Sequence, residues 1–372
     1  MRINADVVKV SGAALCAAMV LGFTPAASAW DYGFHSLSGE ASGMSYDGSV
    51  VVVGNTDLYS TAGLRTATLS SPASDSYTLY RVYGLNDDGS AFVGNGAMNG
   101  AAGWGFGLYQ REGGPFHSWG QSLQSYQTQA KGVSGDGNRV LIETGYLFYP
   151  SAEIVNADGS PLPPTPRGIL DQAGWTTATA ISRDGNAYIG SAALELGDVA
   201  YRFRVGEGVD ALESPPEYAD RPSVARDLSD DGSVVVGRVY TGNSTSLMCI
   251  WNGLDATAVL SPSGYENALA TAVAGDGVTV GATLWYGAGS NLVRDAYIWT
   301  QASGYVSAGS FFAMHGVSVP FAESIAEITQ ISSDGRTFLC QYEDEQSFLV
   351  VIPAPSSLAL LGVATLACRR RR

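Results

Sequence analysis

Side chains suited to acid–base or metal chemistry are few and scattered in this 372-residue chain. The three histidines, His35, His117 and His315, lie far apart, and none has a partner at the short spacing of a zinc site. No Gly-x-Ser-x-Gly segment stands between a strand pattern and a helix pattern, the setting of a hydrolase nucleophile elbow. A Ser-His-Asp triad built from distant segments stays open. The sequence nominates no catalytic residue, no metal ligand and no cofactor.

Carboxylates are numerous, and their most regular setting is an Asp-Gly pair. Asp87-Asp88 and Asp230-Asp231 each place two carboxylates beside a glycine, but Ca²⁺ takes six to eight oxygen ligands, more than such a turn supplies. The Asp-box of sialidases, Ser-x-Asp-x-Gly-x-x-aromatic, is not matched, because here glycine follows aspartate directly. A glycosidase needs two placed carboxylates, and the many acids of this chain single out no pair. We therefore expect the aspartates to stabilise turns.

An Asp-Gly pair with an apolar residue three positions before the aspartate recurs seven times, at intervals of 41, 48, 48, 47, 45 and 58 residues. The pairs are Asp47-Gly48, Asp88-Gly89, Asp136-Gly137, Asp184-Gly185, Asp231-Gly232, Asp276-Gly277 and Asp334-Gly335. An apolar residue stands three positions before each aspartate, and a mostly apolar run follows the glycine. This pattern predicts a strand, a tight turn and a second strand in every copy. In five copies a serine two positions before the aspartate can hydrogen-bond the turn backbone.

Each copy continues into a second hairpin, in which a glycine-bearing turn joins two strands, as in residues 201–212, 249–260 and 297–309. Four short strands in about 45 residues match one propeller blade. The segment after Trp30 matches this second half and the last copy lacks it, so the first strand would complete the last blade. The sequence predicts an all-β, seven-bladed β-propeller over residues 30–352. The alternative is another repetitive all-β fold, a sandwich or a solenoid.

The copies also carry a short motif of known type. Residues 130–137 and 225–232 both follow Ala-x-x-x-Ser-x-Asp-Gly, and an Ala-Tyr-Ile-Trp segment follows at 296–299. These units resemble the HAF-type extracellular repeats of exported bacterial proteins, over most of residues 41–350. The resemblance implies a repeat fold and an extracellular compartment, and it brings no catalytic residue. The proline-rich segment 150–168, with its out-of-phase Asp158-Gly159, is expected to be a surface loop.

Residues 1–29 have the layout of a secretory signal peptide. Arg2 and Lys9 precede an apolar stretch, and Ala27-Ser28-Ala29 gives the small-x-small pattern that signal peptidase cleaves. We expect cleavage before Trp30. The apolar stretch is shorter than the ~20 residues of a spanning helix, which disfavours an uncleaved anchor.

Residues 353–372 form a second targeting segment. Pro353-Ala354-Pro355 precedes an apolar run from 356 to 368. Four arginines end the chain: Arg369, Arg370, Arg371 and Arg372. Positive charge holds such an end on the cytoplasmic side of a membrane. The layout resembles the PEP-CTERM sorting tail of Gram-negative bacteria, with alanine in place of the family's glutamate. The resemblance implies a transient inner-membrane stage, processing by an exosortase-like enzyme, and delivery to the cell surface or extracellular matrix.

Between the two ends the chain is strongly acidic. Residues 30–352 carry 14 basic and 34 acidic side chains, a net charge of −20. Such a surface repels polyanions, which excludes nucleic acid as a partner. Cys249 and Cys340 also lie in this part, each in an apolar strand-like run, and this pattern favours buried free thiols over a disulfide.

Two classes of function follow from these observations. The favoured one is an exported, non-enzymatic cell-surface or matrix protein, whose propeller presents loops to a glycan or a surface protein. The alternative is a secreted glycan-active hydrolase or lyase with its site in the central funnel. The enzyme hypothesis gains if one pocket gathers acids, tyrosines and several of five arginines. These are Arg202, Arg204, Arg226, Arg238 and Arg294.

Overall fold

The structure is a computed structural model of the chain. It describes residues 32–354 except 55, 61–63, 70–76, 99–105, 112–116, 120–125, 147–148, 161, 163–165, 167, 172, 174, 195–196, 243 and 288–291. The predicted signal peptide with its cleavage site, and the predicted tail from Pro355 to Arg372, lie outside the described residues.

The described residues form 27 β-strands, one α-helix and three single 3₁₀ turns. Strands β1–β9 are Gly33–Ser36, Ala41–Met44, Val50–Val53, Asp57–Ser60, Leu64–Thr68, Tyr77–Leu85, Ala91–Met98, Phe106–Arg111 and His117–Trp119. Strands β10–β18 are Tyr126–Val133, Arg139–Tyr146, Tyr149–Asn156, Thr176–Ile181, Ala187–Leu194, Gly197–Arg204, Gly208–Ala211, Ser223–Leu228 and Val234–Tyr240. Strands β19–β27 are Ser246–Asn252, Asp255–Val259, Asn267–Val273, Val280–Tyr286, Val293–Thr300, Gly304–Ser307, Ile325–Ile331, Thr337–Tyr342 and Ser347–Val351. Helix α1 is Ala308–Met314, and the 3₁₀ turns are Gly168–Asp171, Pro216–Tyr218 and Ala322–Ser324.

The strands form six open sheets built almost entirely from antiparallel neighbours. One sheet has eight strands, because a single parallel bridge between Ser246 and Asn267 joins two four-stranded meanders. We number the resulting groups of strands as units 1 to 7. Units 1 to 6 are β2–β5, β6–β9, β10–β12, β13–β16, β17–β20 and β21–β24. Unit 7 is β25–β27 with β1 as its fourth strand.

The first strand of the chain completes the last unit, as the pattern at the chain ends predicted. β1 pairs antiparallel with β27, and Phe34 stands opposite Val350. The Phe34 and Phe348 rings lie 5.4 Å apart between centroids. Because β27 would otherwise be an edge strand, this pairing satisfies its outer row of backbone groups.

Hydrophobic packing links consecutive units. Among the described residues there are seven buried apolar clusters, and each draws its members from two neighbouring units. One of them joins Met44 and Val51 of unit 1 to Leu349 and Val351 of unit 7, so the succession closes on itself. The apolar residues that stand three positions before the turn aspartates are all buried: Met44, Leu85, Val133, Ile181, Leu228, Val273 and Ile331. The mostly β character is thereby confirmed, while the seven-bladed propeller stays a prediction.

The first strand of every unit has a β-bulge at a shared position, three residues before the first residue of the turn motif, and β6 and β25 each have a second register shift nearer their start. The bulged residues are Ser42, Tyr83, Lys131, Thr179, Arg226, Thr271 and Thr329. A bulge adds one residue to a strand and turns the neighbouring side chains away from the regular alternation. Hydrophobic alternation alone therefore cannot assign the direction of these seven side chains.

One expectation about a segment was wrong. Residues 150–168 were expected to form a surface loop, but Tyr149–Asn156 is the third strand of unit 3 and pairs along its whole length with β11. The alternation of buried Ala152 and Ile154 with more exposed neighbours outweighs the prolines that follow. Asp158-Gly159 closes the turn after this strand, where Gly159 has φ +79°.

Candidate functional site

The Asp-Gly turns share one hydrogen-bonded structure between the first and second strand of each unit. In unit 1, the Ser45 hydroxyl donates to Asp47 Oδ1 at 2.8 Å and accepts from the Val50 N–H at 3.0 Å. The same serine-to-aspartate bond recurs at Ser134, Ser182, Ser229 and Ser332, at 2.6 to 2.8 Å. All seven turn glycines have φ between +67° and +74°, a region that glycine adopts without steric cost. The aspartates are thus engaged within their own turns.

A closed ring of seven backbone hydrogen bonds connects these turns. The backbone carbonyl of the residue just before each turn aspartate accepts a hydrogen bond from a backbone N–H of the preceding turn around the ring. The bonds, at 2.7 to 3.3 Å, run from Asp47 to Asp87, Asp87 to Gly135, Gly135 to Arg183, Asp184 to Asp230, Asp230 to Gly275, Gly275 to Ser333 and Ser333 to Tyr46. Every unit contributes one turn, so the bonds return to their starting unit.

Polar side chains span the inside of this ring. Arg183 donates from Nε and Nη2 to the two carboxylate oxygens of Asp87, at 2.8 and 2.7 Å, and from Nη1 to Asp230 Oδ2 at 3.1 Å. The Ser333 hydroxyl donates to Asp230 Oδ1 at 2.8 Å, and the Tyr46 hydroxyl donates to the Ile181 carbonyl at 2.9 Å. Burial, reinforced by nearby aspartates, raises the pKa of Tyr46. We call Tyr46, Asp87, Arg183, Asp230 and Ser333 the axial cluster.

Two glycines leave room for the axial cluster. A Cβ atom at Gly275 would lie 2.5 Å from Cγ and from both carboxylate oxygens of Asp230. One at Gly135 would lie 2.3 Å from Asp87 Oδ1 and 2.6 Å from Arg183 Cγ. These contacts are far inside van der Waals distance, so both positions need glycine for space, although neither has a left-handed φ.

A cavity of about 510 Å³ lies further along the first strands, away from the turns. We call it the mouth cavity. Its polar and aromatic lining is Thr179, Arg226, Thr271, Thr283, Trp285, Arg294 and Glu327, from units 4 to 7. Arg226 and Thr271 are bulged residues, so the bulge places them here. An adjoining cavity shares Arg294 and Glu327 and adds Glu40, Glu343 and Glu345 as an acidic rim.

The electrostatics of the mouth cavity are cationic at the wall and acidic at the rim. Burial raises the pKa of Glu327, and Arg294 and Arg226 partly offset this effect. The Arg238 guanidinium lies 5.9 Å from the centroid of the Trp285 ring, next to the cavity, and 4.6 Å from that of Tyr240. Burial lowers the pKa of Arg238, and repulsion from Arg226 lowers it further.

The five arginines singled out by sequence divide between the mouth cavity and other places. Arg226 and Arg294 line the cavity, and Arg238 stands behind its tryptophan. Arg202 is 1% exposed and donates to the Gly232 and Ser233 carbonyls. Arg204 forms an exposed ion pair of 3.2 Å within its own hairpin. The gathering of arginines expected of an enzyme is therefore partial, and no tyrosine is among the described residues that line the mouth cavity.

The histidines do not meet. His35 lies in β1, His117 lies in β9 with its ring 6.0 Å from that of Tyr109, and His315 Nδ1 lies 2.9 Å from the Phe311 carbonyl at the end of α1. Within the described part of the chain, no group of three or more histidine, cysteine or acidic side chains is arranged to hold a metal ion. In that same part, Cys249 and Cys340 are buried free thiols.

Of the predicted sorting motif, the structure describes Pro353 and Ala354, which follow β27. Over the described residues, no helix combines the length and apolar character needed to cross a bilayer.

Some residues in these sites were not singled out from sequence. The axial cluster sits at the variable position of the turn motif; Asp87 and Asp230 were considered only as paired carboxylates for Ca²⁺, and Tyr46, Arg183 and Ser333 were not singled out. That variability between fixed neighbours was a usable signal. Glu327 and Trp285 carried no such signal, because they reach the mouth cavity only through the packing of different units.

The chain was compared with known proteins. No protein-family model matches it, and no curated protein matches it significantly. An oligogalacturonate lyase from Vibrio parahaemolyticus is similar over 87% of this chain and 92% of its own, with 11% identity and a TM-score of 0.50. A putative TolB from Agrobacterium tumefaciens covers 73% of this chain and 89% of its own, with 11% identity and a TM-score of 0.42. TolB from Acinetobacter baumannii covers 82% and 78%, with 11% identity and a TM-score of 0.41. The likeness indicates a β-propeller-like fold and assigns no activity.

Proposed function

We propose that this protein is an exported, non-enzymatic seven-bladed β-propeller that binds a glycan or a surface protein at the mouth of its ring. Signal peptidase would release it before Trp30, and an exosortase-like enzyme would process the tail at residues 353–355. The protein would then reach the cell surface or extracellular matrix of a Gram-negative bacterium, after a stage in the inner membrane.

The closed succession of seven units supports the propeller. Seven turns are joined by seven backbone bonds, seven apolar clusters join neighbouring units, and β1 completes unit 7. A closed ring leaves no unpaired unit at either end, which suits a protein that works outside the cell without chaperones.

The mouth cavity is the single observation that carries the binding role. A cavity of about 510 Å³ lies in the range of small-ligand sites, and it offers an aromatic wall with a few polar groups. Glu327 is the one carboxylate among the described residues that line it, whereas hydrolysis of a glycosidic bond takes two. Binding without turnover is the chemistry this lining favours.

A binding and turnover experiment tests the proposal. Protein purified from the medium or surface of its own host is applied to a glycan array and, in parallel, incubated with each bound polysaccharide. We expect retention of at least one glycan without new reducing ends and without unsaturated products. Catalytic release of oligosaccharides from a bound polysaccharide would overturn the non-enzymatic assignment.

A further inference from the structure

Two guanidinium groups line the mouth cavity of a protein that is otherwise strongly acidic, and a third lies close to its tryptophan. Arg226 and Arg294 line it and are exposed, and Arg238 lies behind its tryptophan. Within the described residues, neither Arg226 nor Arg294 has a carboxylate within 4 Å, unlike Arg183, Arg202 and Arg204. Glu327 lies in the same lining, so the two guanidinium groups outnumber the one carboxylate among the described residues there, and an anion between them relieves their mutual repulsion.

Unsatisfied polar groups accompany the arginines. Thr283 lines the cavity and is 5% exposed, yet its buried hydroxyl has no hydrogen-bond partner among the described residues. The Arg238 Nε–H, next to the cavity, is also buried without a partner among the described residues. Leaving a buried polar group without a partner is costly, so such groups mark places where a ligand or ordered water supplies the missing bond.

The tryptophan in the lining favours a saccharide over a simple anion as the ligand. Trp285 lines the cavity and is partly exposed, so its indole offers a flat apolar surface beside the charged groups. A sugar ring presents an apolar C–H face to such a surface, and its hydroxyls complement the threonines of the lining. The planar carboxylate that a uronic acid carries beside its ring matches the planar donor pattern of a guanidinium.

We propose that the mouth cavity binds a carboxylated sugar of an acidic polysaccharide, with Arg226 and Arg294 holding the carboxylate, Trp285 packing on the ring and Thr283 bonding a hydroxyl. This inference rests on the proposed function and names its ligand class. The net charge of −20 and the acidic rim repel an acidic polymer, so the arginines of the cavity wall are where its carboxylates are attracted, and this contrast makes the site selective.

The first test uses a pair of probes that differ only in charge. A hexuronic acid tetrasaccharide and its carboxyl-reduced, neutral counterpart are titrated into the purified full chain by calorimetry at low and physiological salt. We expect binding of the acidic probe, at least 10-fold weaker binding of the neutral one, and an affinity for the acidic probe that falls as salt rises. Equal affinity for both probes would refute the carboxylate role while leaving glycan binding intact. Binding of neither probe, with no glycan retained on an array, would overturn the proposed function as well.

Substitutions in the lining test whether the probe binds in the mouth cavity. Arg294→Gln is expected to weaken binding of the acidic probe at least 10-fold, whereas Arg204→Gln, which removes an arginine outside the cavity, leaves it unchanged. Thr283→Val keeps the side-chain shape and removes the unpaired hydroxyl. We therefore expect weaker binding, by a few fold, together with unchanged or higher resistance to urea. Unaltered affinity in both Arg294→Gln and Thr283→Val would show that the sugar binds elsewhere.

Two further titrations compare the uronic acid probe with other anions. A sulfated tetrasaccharide tests whether the guanidinium groups prefer sulfate, and a short poly-glutamate peptide tests whether the carboxylate alone suffices. The proposal expects the uronic acid probe to bind at least 10-fold more tightly than either. Tighter binding of the sulfated sugar or of the peptide would refute the carboxylated sugar as the ligand and put that probe's class in its place.

Discussion

Replacement of Gly275 by alanine probes the packing of the axial cluster. The new Cβ would lie 2.5 Å from the Asp230 carboxyl group, so the carboxylate must retreat by about 1 Å to reach an ordinary contact. The retreat breaks the bonds that Asp230 accepts from Arg183 at 3.1 Å and from Ser333 at 2.8 Å. The substitution therefore acts through Asp230 rather than through the backbone of residue 275.

The magnitude follows from these two bonds. The Arg183 and Asp230 side chains are 38% and 30% exposed, so each bond is discounted to about 1 kcal/mol for solvent screening. Alanine regains about 0.5 kcal/mol by restricting the unfolded chain. Gly275→Ala should thus lower the free energy of unfolding by about 1.5 kcal/mol. Over roughly 320 residues, an unfolding entropy of about 2.1 cal/mol/K per residue converts this into a Tm lower by about 2 °C.

A double-mutant cycle with Asp230→Ala separates the clash from other causes, measured by urea unfolding with tryptophan fluorescence. Asp230→Ala alone should cost about 2 kcal/mol. In that background Gly275→Ala has nothing to displace and should raise stability by about 0.5 kcal/mol, which reverses its sign. Gly39→Ala is the matched control, because its Cβ would meet only Val53 Cγ1 at an ordinary 3.6 Å. An equal cost of Gly275→Ala in both backgrounds would refute the packing argument.

Three other predictions concern titration, thiols and ring closure. Burial raises the pKa of Asp227 to about 7, so the folded state holds this proton more tightly than the unfolded chain, whose value lies near 4. The contribution of Asp227 to stability should fall as pH rises from about 4 to about 7, so Asp227→Asn should lose less stability over that range than the unaltered protein in urea unfolding. Burial also raises the pKa of Cys249 to about 12 and raises that of Cys340. Alkylation followed by mass mapping should therefore find both thiols unmodified in the native protein and modified in urea. Rapid labelling of either thiol in the native protein would contradict the structure. Phe34→Ala should cost about 2 kcal/mol in urea unfolding by loosening β1 from Phe348, and an unchanged midpoint would show that β1 does not close the last unit.

The repeated part of the fold could be predicted because the residues that determine each turn lie next to one another in the sequence of every copy. Gly48 and its six counterparts need a left-handed φ, and the aspartate beside each, with a serine in five of the seven turns, satisfies the turn backbone without help from distant residues. The pairing of β1 with β27 was predictable for a related reason, since an incomplete copy at each chain end implies one shared unit. The failure at residues 150–168 came from weighting prolines above a strand alternation that tertiary pairing with β11 stabilises.

The candidate sites could not be predicted in the same way. Arg226 reaches the mouth cavity because a bulge turns it away from the strand alternation, and Trp285 and Glu327 arrive from units that are separate in sequence. In the axial cluster, Arg183 finds Asp87 across 96 residues and Asp230 across 47 residues. Only the circular arrangement of units brings such residues together, and spacing along the chain does not encode which of them meet.

The intact mass and cellular location of the protein, isolated from its own host, test the central claim that this ring is an exported surface protein. The account predicts a species that begins at Trp30 and ends within or near residues 353–355, found outside the cell or on its surface. A mass that retains Met1 in the cytoplasm, or a species that keeps Arg372 and stays in the inner membrane, would contradict it.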